Sequence, residues 1–317
     1  MRKITIFILI LLFGSVIYVS AQDLEAAADA YNQAIGFTQA GNHTEALKLY
    51  QKTIELSEAL GDDGLELLIR AEQQLPSTFF NVGKGLYDDK KLNEAIPYFE
   101  ESVKYADQMG ESKTADASRT YLAGIYTAQG NADLRADALD KAIENYNKAI
   151  RNKPDFARAY YGLGLVYRKQ GSNEEMKQAM DKVIELSPAG DKTAENARSA
   201  VATVYLNDGA MALQKSAWDQ AIGSLTVSAE YNNAEPMTFY YMALAYNGKK
   251  QWDDAIEAAG KAIALNYENA SDAWFEIGKA NEGKGDTDAA CEAYKKVTAG
   301  NNVAAAKYQV EQVLKCN

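Results

Sequence analysis

The sequence is poor in the residue types that carry out most enzymatic chemistry. It has one histidine, two cysteines and five prolines in 317 residues. Ser-His-Asp and Cys-His catalysis both require a histidine, and His43 lies in the turn-like sequence Gly41-Asn-His-Thr44, where a solvated residue is the ordinary explanation. The sequence therefore predicts a protein that is not an enzyme.

Signatures of metal and nucleotide binding are missing as well. The sequence has no Cys-x-x-Cys or His-x-x-x-His spacing of the kind that zinc sites use. The glycines of Gly83-Lys-Gly85 and Gly162-Leu-Gly164 do not follow a predicted strand, as a phosphate-binding loop would require. We predict no metal site and no cofactor.

Positive charge is in deficit. Lysine and arginine number 33 against 44 acidic residues, a net charge of -11. Residues 1–21 hold two positive charges, Arg2 and Lys3, and no acidic residue, so the chain without them carries -13. A surface this acidic repels phosphate backbones, which argues against a nucleic acid partner.

The only long apolar run lies at the N-terminus. Arg2 and Lys3 precede the run from Ile4 to Val19, and Val19-Ser20-Ala21 offers small residues before Gln22. This pattern is typical of a secretory signal peptide, here cleaved after Ala21. The alternative is an uncleaved membrane anchor, although the run is shorter than the roughly 20 residues of a spanning helix. We predict an exported protein, periplasmic or extracellular, with no stable membrane insertion after cleavage.

A helical hairpin is readable between Phe156 and Pro188. Tyr160, Leu163, Gly164 and Tyr167 follow the i, i+3, i+4, i+7 spacing of one helix face. Gly171 predicts a break, after which a second helix runs from Asn173 to about Leu186 with Met176, Met180 and Val183 facing inward. Two helices of this length need neighbouring copies to bury their apolar faces.

The pattern Tyr160-x-x-Leu163-Gly164-x-x-Tyr167, closed by Pro188, resembles the tetratricopeptide repeat (TPR) family. It departs once, with Met176 where the family usually has alanine. The resemblance implies an all-α, right-handed superhelical solenoid with a concave ligand-binding groove.

The residue at the helix crossing recurs along the chain, on the second helix of each of about seven hairpins. The aligned positions are Ala46, Ala95, Ala142, Met176, Ala221, Ala255 and Ala290. We predict hairpins at roughly 24–60, 65–108, 115–154, 157–188, 194–233, 236–267 and 271–300, followed by a capping helix at 302–316. In the third hairpin we expect Leu122, Ala123 and Tyr126 at the core positions of the first helix, and in the cap we expect an apolar face of Val303, Ala306, Val310, Val313 and Leu314.

The two cysteines are Cys291, on the last hairpin, and Cys316, on the predicted cap. In an exported protein, a disulfide between them would join the cap to the repeats. The alternative is two unrelated thiols.

In the family that the chain resembles, the first helix of each hairpin lines the groove. The resemblance implies a partner-binding surface formed by Tyr31, Asn32, Phe80, Asn81, Lys84, Tyr161, Arg168, Asn207, Tyr240, Tyr241, Asn247, Phe275, Glu276 and Lys279. We therefore expect a non-catalytic protein-protein interaction scaffold of the bacterial cell envelope that binds a protein or peptide partner. The alternative is a glycan-binding protein that uses the aromatic side chains of the groove.

Overall fold

The computed structural model describes residues 22–316, which form α-helices joined by short connections, with no β-strand in that range. The predicted signal peptide lies outside the described residues. Residues 22–39 are helical and are labelled α1. The other helices are α2 (His43–Ala59), α3 (Leu65–Glu72), α4 (Leu75–Asp88), α5 (Leu92–Met109), α6 (Ser112–Arg135), α7 (Leu139–Asn152), α8 (Ala157–Gln170), α9 (Asn173–Leu186), α10 (Lys192–Gln214), α11 (Trp218–Tyr231), α12 (Pro236–Lys249), α13 (Trp252–Ala264), α14 (Ala270–Lys284), α15 (Thr287–Lys295) and α16 (Val303–Tyr308).

The chain divides into two compact units, one that ends at Gly162 and one that begins at Leu163. In each unit, helices that are adjacent in sequence pack against each other, as α4 does with α5 and α10 with α11. The hairpin boundaries drawn from the sequence remain a prediction.

One turn residue in the left-handed region precedes each second helix. The residues are Gly41, Lys90, Asp137, Gly171, Ser216, Lys250 and Gly285, with φ between 55° and 82°. Each lies five positions before one of the aligned crossing residues. The turn and the crossing therefore keep a fixed distance in every hairpin, including those with long first helices.

The aligned crossing residues are all fully buried, at 0% exposure for Ala46, Met176 and Ala290 as for the other four. Each has a small partner twelve positions earlier on the first helix. Where that partner is glycine, a Cβ atom would fall within 3.1 Å of a side chain on the second helix, which shows how closely the two helices approach. The partners are Ala34, Gly83, Gly130, Gly164, Gly209, Ala243 and Gly278.

The third hairpin corrects the register expected from the sequence. The small residue at its crossing is Gly130, whose Cβ would lie 2.8 Å from the Tyr146 ring, and not Ala123. Leu122 and Ala123 are buried, but they lie two helical turns earlier on α6. This helix is 24 residues long, so its apolar positions extend over more turns than one crossing needs and the sequence pattern fits in two registers.

The C-terminal segment also differs from the expected regular helix. Helix α16 ends at Tyr308 and continues as a π-helical turn, Gln309–Val313. Ala306 is buried and Val310 and Leu314 pack on the last hairpin, whereas Val303 and Val313 are exposed. The wider π turn rotates the residues after Tyr308, which accounts for the exposure of Val313, whereas Val303 is exposed at the first residue of α16.

The predicted disulfide is present. Cys291 on α15 and Cys316 are bonded, with their Cα atoms 5.8 Å apart. The bond joins the C-terminal segment to the last hairpin, next to the buried Ala290 and Tyr294.

Candidate partner-binding site

The predicted groove residues lie on first helices, but several aromatic members are partly buried against other rings of the protein. In the first unit, Tyr31 packs edge-on against Tyr50 with ring centroids 5.9 Å apart. Phe80 lies 5.9 Å from the Phe99 ring and 5.6 Å from Tyr121. Of the remaining four, Asn32 is exposed, Asn81 and Tyr161 are partly buried, and Lys84 pairs with Asp88 at 2.7 Å.

The second unit shows the same division between packed rings and accessible polar groups. Tyr240 stacks on Tyr267 with centroids 4.8 Å apart, and it also contacts Tyr241 at 5.8 Å. Burial raises the pKa of Tyr240, and the neighbouring carboxylate of Glu276 adds to the rise. Phe275 packs on Tyr294 at 5.5 Å. The predicted residues that are exposed on the first helices of this unit are polar: Arg168, Asn207 and Lys279.

Three predicted residues form a polar cluster between α12 and α14. The Asn247 amide donates from Nδ2 to Glu276 Oε2 at 2.7 Å and to the Glu276 carbonyl oxygen at 3.0 Å. Lys279 Nζ donates to both Glu276 carboxylate oxygens, at 3.1 and 2.8 Å. Glu276 is 4% exposed and Asn247 is 7% exposed. Partner contact at these two residues remains a prediction.

An open cavity of about 380 Å³ adjoins this cluster. It is lined by Asn247, Trp252, Lys279, Glu282 and Gly283. Glu282 accepts a hydrogen bond from the Tyr294 hydroxyl at 2.8 Å. The sequence analysis missed Trp252 and Glu282 as site residues. Trp252 begins a second helix, whereas the predicted groove came from first helices alone. Glu282 lies on the first helix α14, but beyond the last position predicted to line the groove, Lys279.

A smaller cavity of about 160 Å³ lies between α12 and α13, lined in part by Tyr246, Asp254 and Glu257. Lys261 covers the Phe239 ring in this cavity at 4.0 Å. The protein itself therefore supplies a cation to this cavity, the ammonium group of Lys261. We do not include it in the candidate site.

Three family models match the chain. A model described as TPR repeat matches residues 130–171, and models described as tetratricopeptide repeat match residues 157–189 and 242–306. The chain is a tetratricopeptide repeat protein. This confirms the resemblance noted from Tyr160 to Pro188 and the all-α TPR fold class.

Known TPR proteins resemble the chain at low identity. An Hsp70-Hsp90 organizing protein from Triticum aestivum is 25% identical over 190 residues, 55% of this chain and 32% of that protein. The BBSome complex member BBS4 from Bos taurus is 24% identical over 248 residues, 74% of this chain and 44% of that protein. The matches thus span less than half of either relative. A solved TPR protein from Parabacteroides merdae is 15% identical, with 92% of this chain and all of that one covered at a TM-score of 0.30.

When the repeats are aligned on their crossing residues, the cavity can be compared with the equivalent place between the two preceding repeats of the same unit. Trp218 and Trp252 occupy equivalent positions 34 residues apart, and each ring lies against a glycine of the next first helix, Gly248 and Gly283. The residues after each tryptophan also correspond, because Asp219 pairs with Lys249 as Asp253 pairs with Lys284. The starts of α11 and α13 are thus attached to the next repeat in the same way.

Two polar residues of the cavity, Asn247 and Lys279, have apolar counterparts in that alignment. Leu213 is equivalent to Asn247, and Leu244 is equivalent to Lys279. Leu213 packs in the hydrophobic cluster around Ala212 and Leu225. Leucine therefore satisfies the packing at the position of Asn247, so packing alone does not account for the amide there.

The described residues offer little for other chemistries. Within residues 22–316, no three His, Cys, Asp or Glu side chains cluster as metal ligands. In the same range, no helix has the length and apolar character needed to cross a bilayer.

Proposed function

We propose that this protein is a non-catalytic scaffold for protein-protein interaction in the bacterial cell envelope, and that a partner segment binds along the first helices of its repeats. The TPR relatives support the interaction role, because the wheat relative is named as an organizing protein and the bovine one as a member of a complex. The observation that carries the proposal is the Asn247–Glu276–Lys279 cluster, which brings the first helices of two successive repeats together beside an open cavity.

The packing of the aromatic residues favours a protein partner over a glycan. Sugar binding needs exposed ring faces, whereas Phe80 and Tyr240 use theirs to contact other rings of the protein. A partly buried polar surface with aromatic neighbours is typical of sites that bind an extended chain.

Site-specific crosslinking tests the proposal. A photoreactive amino acid is placed on first helices of the second unit, at Arg168 or Asn207, and in matched variants on second helices, at Glu185 or Thr226; all four residues are exposed. We expect a discrete adduct in the native envelope from the first-helix positions only. No adduct at either first-helix position, or the same adduct from both sets, would reject the groove.

The envelope location is a separate part of the proposal. It rests on the signal-peptide pattern of residues 1–21 and is supported by the Cys291–Cys316 disulfide, because such bonds persist in oxidising compartments. Intact-mass measurement of protein from its native host tests it. We expect a mature chain that starts at Gln22, and a full-length chain in the cytoplasmic fraction would contradict the prediction.

A further inference from the structure

The cavity beside α12 and α14 contains an unused hydrogen-bond acceptor. Asn247 uses its amide nitrogen on Glu276, while its buried Oδ1 has no hydrogen-bond partner among the described residues. Because Asn247 Nδ2 donates to two oxygens, its amide orientation is fixed and Oδ1 remains an acceptor. Lys279, the lysine of the cavity, directs its ammonium to the Glu276 carboxylate. A ligand that completes this site must donate hydrogen bonds.

The charge of the site selects among donors. Glu276 and Glu282 contribute two carboxylates beside the single ammonium of Lys279, which leaves an excess of one negative charge. The indole of Trp252 forms another part of the lining, and an aromatic face attracts a cation. The chain as a whole carries -11, so its field also favours cations.

We propose that this cavity binds the cationic side chain, arginine or lysine, of a basic partner segment. The guanidinium or ammonium group supplies the missing donor for Asn247 Oδ1, contacts the Glu282 carboxylate and lies against Trp252. This inference rests on the proposed function and specifies the chemistry of the partner. Leu213 and Leu244 occupy the positions equivalent to Asn247 and Lys279 at the preceding repeat interface, so the proposed binding does not extend to that interface.

Peptide titrations followed by NMR test the inference. The probe is the capped peptide Ac-Gly-Ser-Arg-Ser-Gly-NH2, and its control carries citrulline, which keeps the shape and loses the charge. The indole N–H signal of Trp252 is assigned by comparison with a Trp252→Phe variant. We expect the arginine peptide to shift this signal saturably and to bind at least tenfold more tightly than the citrulline peptide. The Trp218 indole is expected to stay unchanged. Equal affinity for the two peptides, or no saturable shift, would overturn the inference.

A substitution in the cavity gives a second readout. Glu282→Gln removes the charge and keeps an acceptor for the Tyr294 hydroxyl, so the fold is retained. We expect it to weaken binding of the arginine peptide at least fivefold at low salt. Glu185→Gln, an equal change of charge on the exposed face of α9, is expected to leave affinity unchanged. Unchanged affinity in Glu282→Gln would contradict the role of the cavity.

The same titration separates a partner side chain from a free small cation. Ac-Arg-NH2 carries the guanidinium without flanking peptide, and we expect it to bind more weakly than the pentapeptide. Equal affinity would indicate a free cation as the ligand and would overturn the assignment to a partner segment.

Failure of the proposed function and failure of this inference are distinguishable. Adducts at Arg168 and Asn207 without a preference for arginine would reject only the inference, whereas an arginine preference without adducts would reject the proposed function and leave the cavity chemistry in place.

Discussion

The close approach of helices around Tyr146 allows a stability prediction with a defined sign. A Cβ atom on Gly162 would lie 2.3 Å from Tyr146 Cε1 and 2.4 Å from Cζ, far inside van der Waals contact. The ring cannot move away freely, because Gly130 faces it so closely that a Cβ atom there would lie 2.8 Å from Tyr146 Cε1, and because the hydroxyl donates to Asn131 Oδ1 at 2.7 Å. We therefore expect Gly162→Ala to destabilise the protein.

The expected magnitude combines two opposing effects. Overpacking in a close-packed core is unfavourable by about 3 kcal/mol at the upper end of the usual range. Replacing glycine by alanine inside a helix is favourable by about 1 kcal/mol. The net loss in free energy of unfolding is then about 2 kcal/mol, which urea titration followed by circular dichroism measures.

A matched control separates packing from helix propensity. Gly124 lies on α6 in the same unit, and a Cβ there would meet nothing within 4 Å. Gly124→Ala should therefore stabilise the protein by about 1 kcal/mol. In a Tyr146→Leu background, Gly162→Ala should also cease to destabilise, because the ring that it strikes is gone. A loss of stability from Gly162→Ala that persists in that background would refute the steric reasoning.

Three further predictions concern pH, the disulfide and a turn. Burial raises the pKa of Tyr146 to about 12. The stability that its neutral hydroxyl contributes is therefore complete below pH 10 and is lost as the pH rises towards 12. In unfolding midpoints measured against pH, Tyr146→Phe should reduce this loss. The Cys291–Cys316 bond closes a loop of 25 residues, so its reduction should lower the stability of the C-terminal repeat by about 3 kcal/mol, as measured by hydrogen exchange. A variant with both cysteines replaced should not respond to reductant. Ser216 adopts φ of 55°, so Ser216→Gly should raise the urea midpoint by an amount equivalent to about 1 kcal/mol, and an unchanged or lower midpoint would contradict the strain argument.

The sequence alone predicted the repeating part of the fold because its signals are local. A small residue at the helix crossing, such as Ala46 or Ala290, recurs in a fixed relation to the turn before it, and both depend on contacts within one hairpin. The disulfide was predictable because the sequence contains only two cysteines, which can form only one pair. In the third hairpin this logic failed, because the long helix α6 offers two registers and only the position of Tyr146 selects Gly130.

Periodicity cannot predict the contacts between repeats, and these determine the candidate site. The sequence placed Tyr240, Asn247 and Glu276 on first helices, but how far they are buried depends on side chains elsewhere in the chain, such as Tyr267 in the connection between α13 and α14. The cavity itself requires Trp252, which comes from a second helix and meets Gly283 only when two repeats stack. Amino-acid spacing by itself determined that the chain repeats a helical hairpin, and tertiary packing decided which polar groups are buried, paired or open to a partner, because those properties depend on atoms about 30 residues apart in the chain.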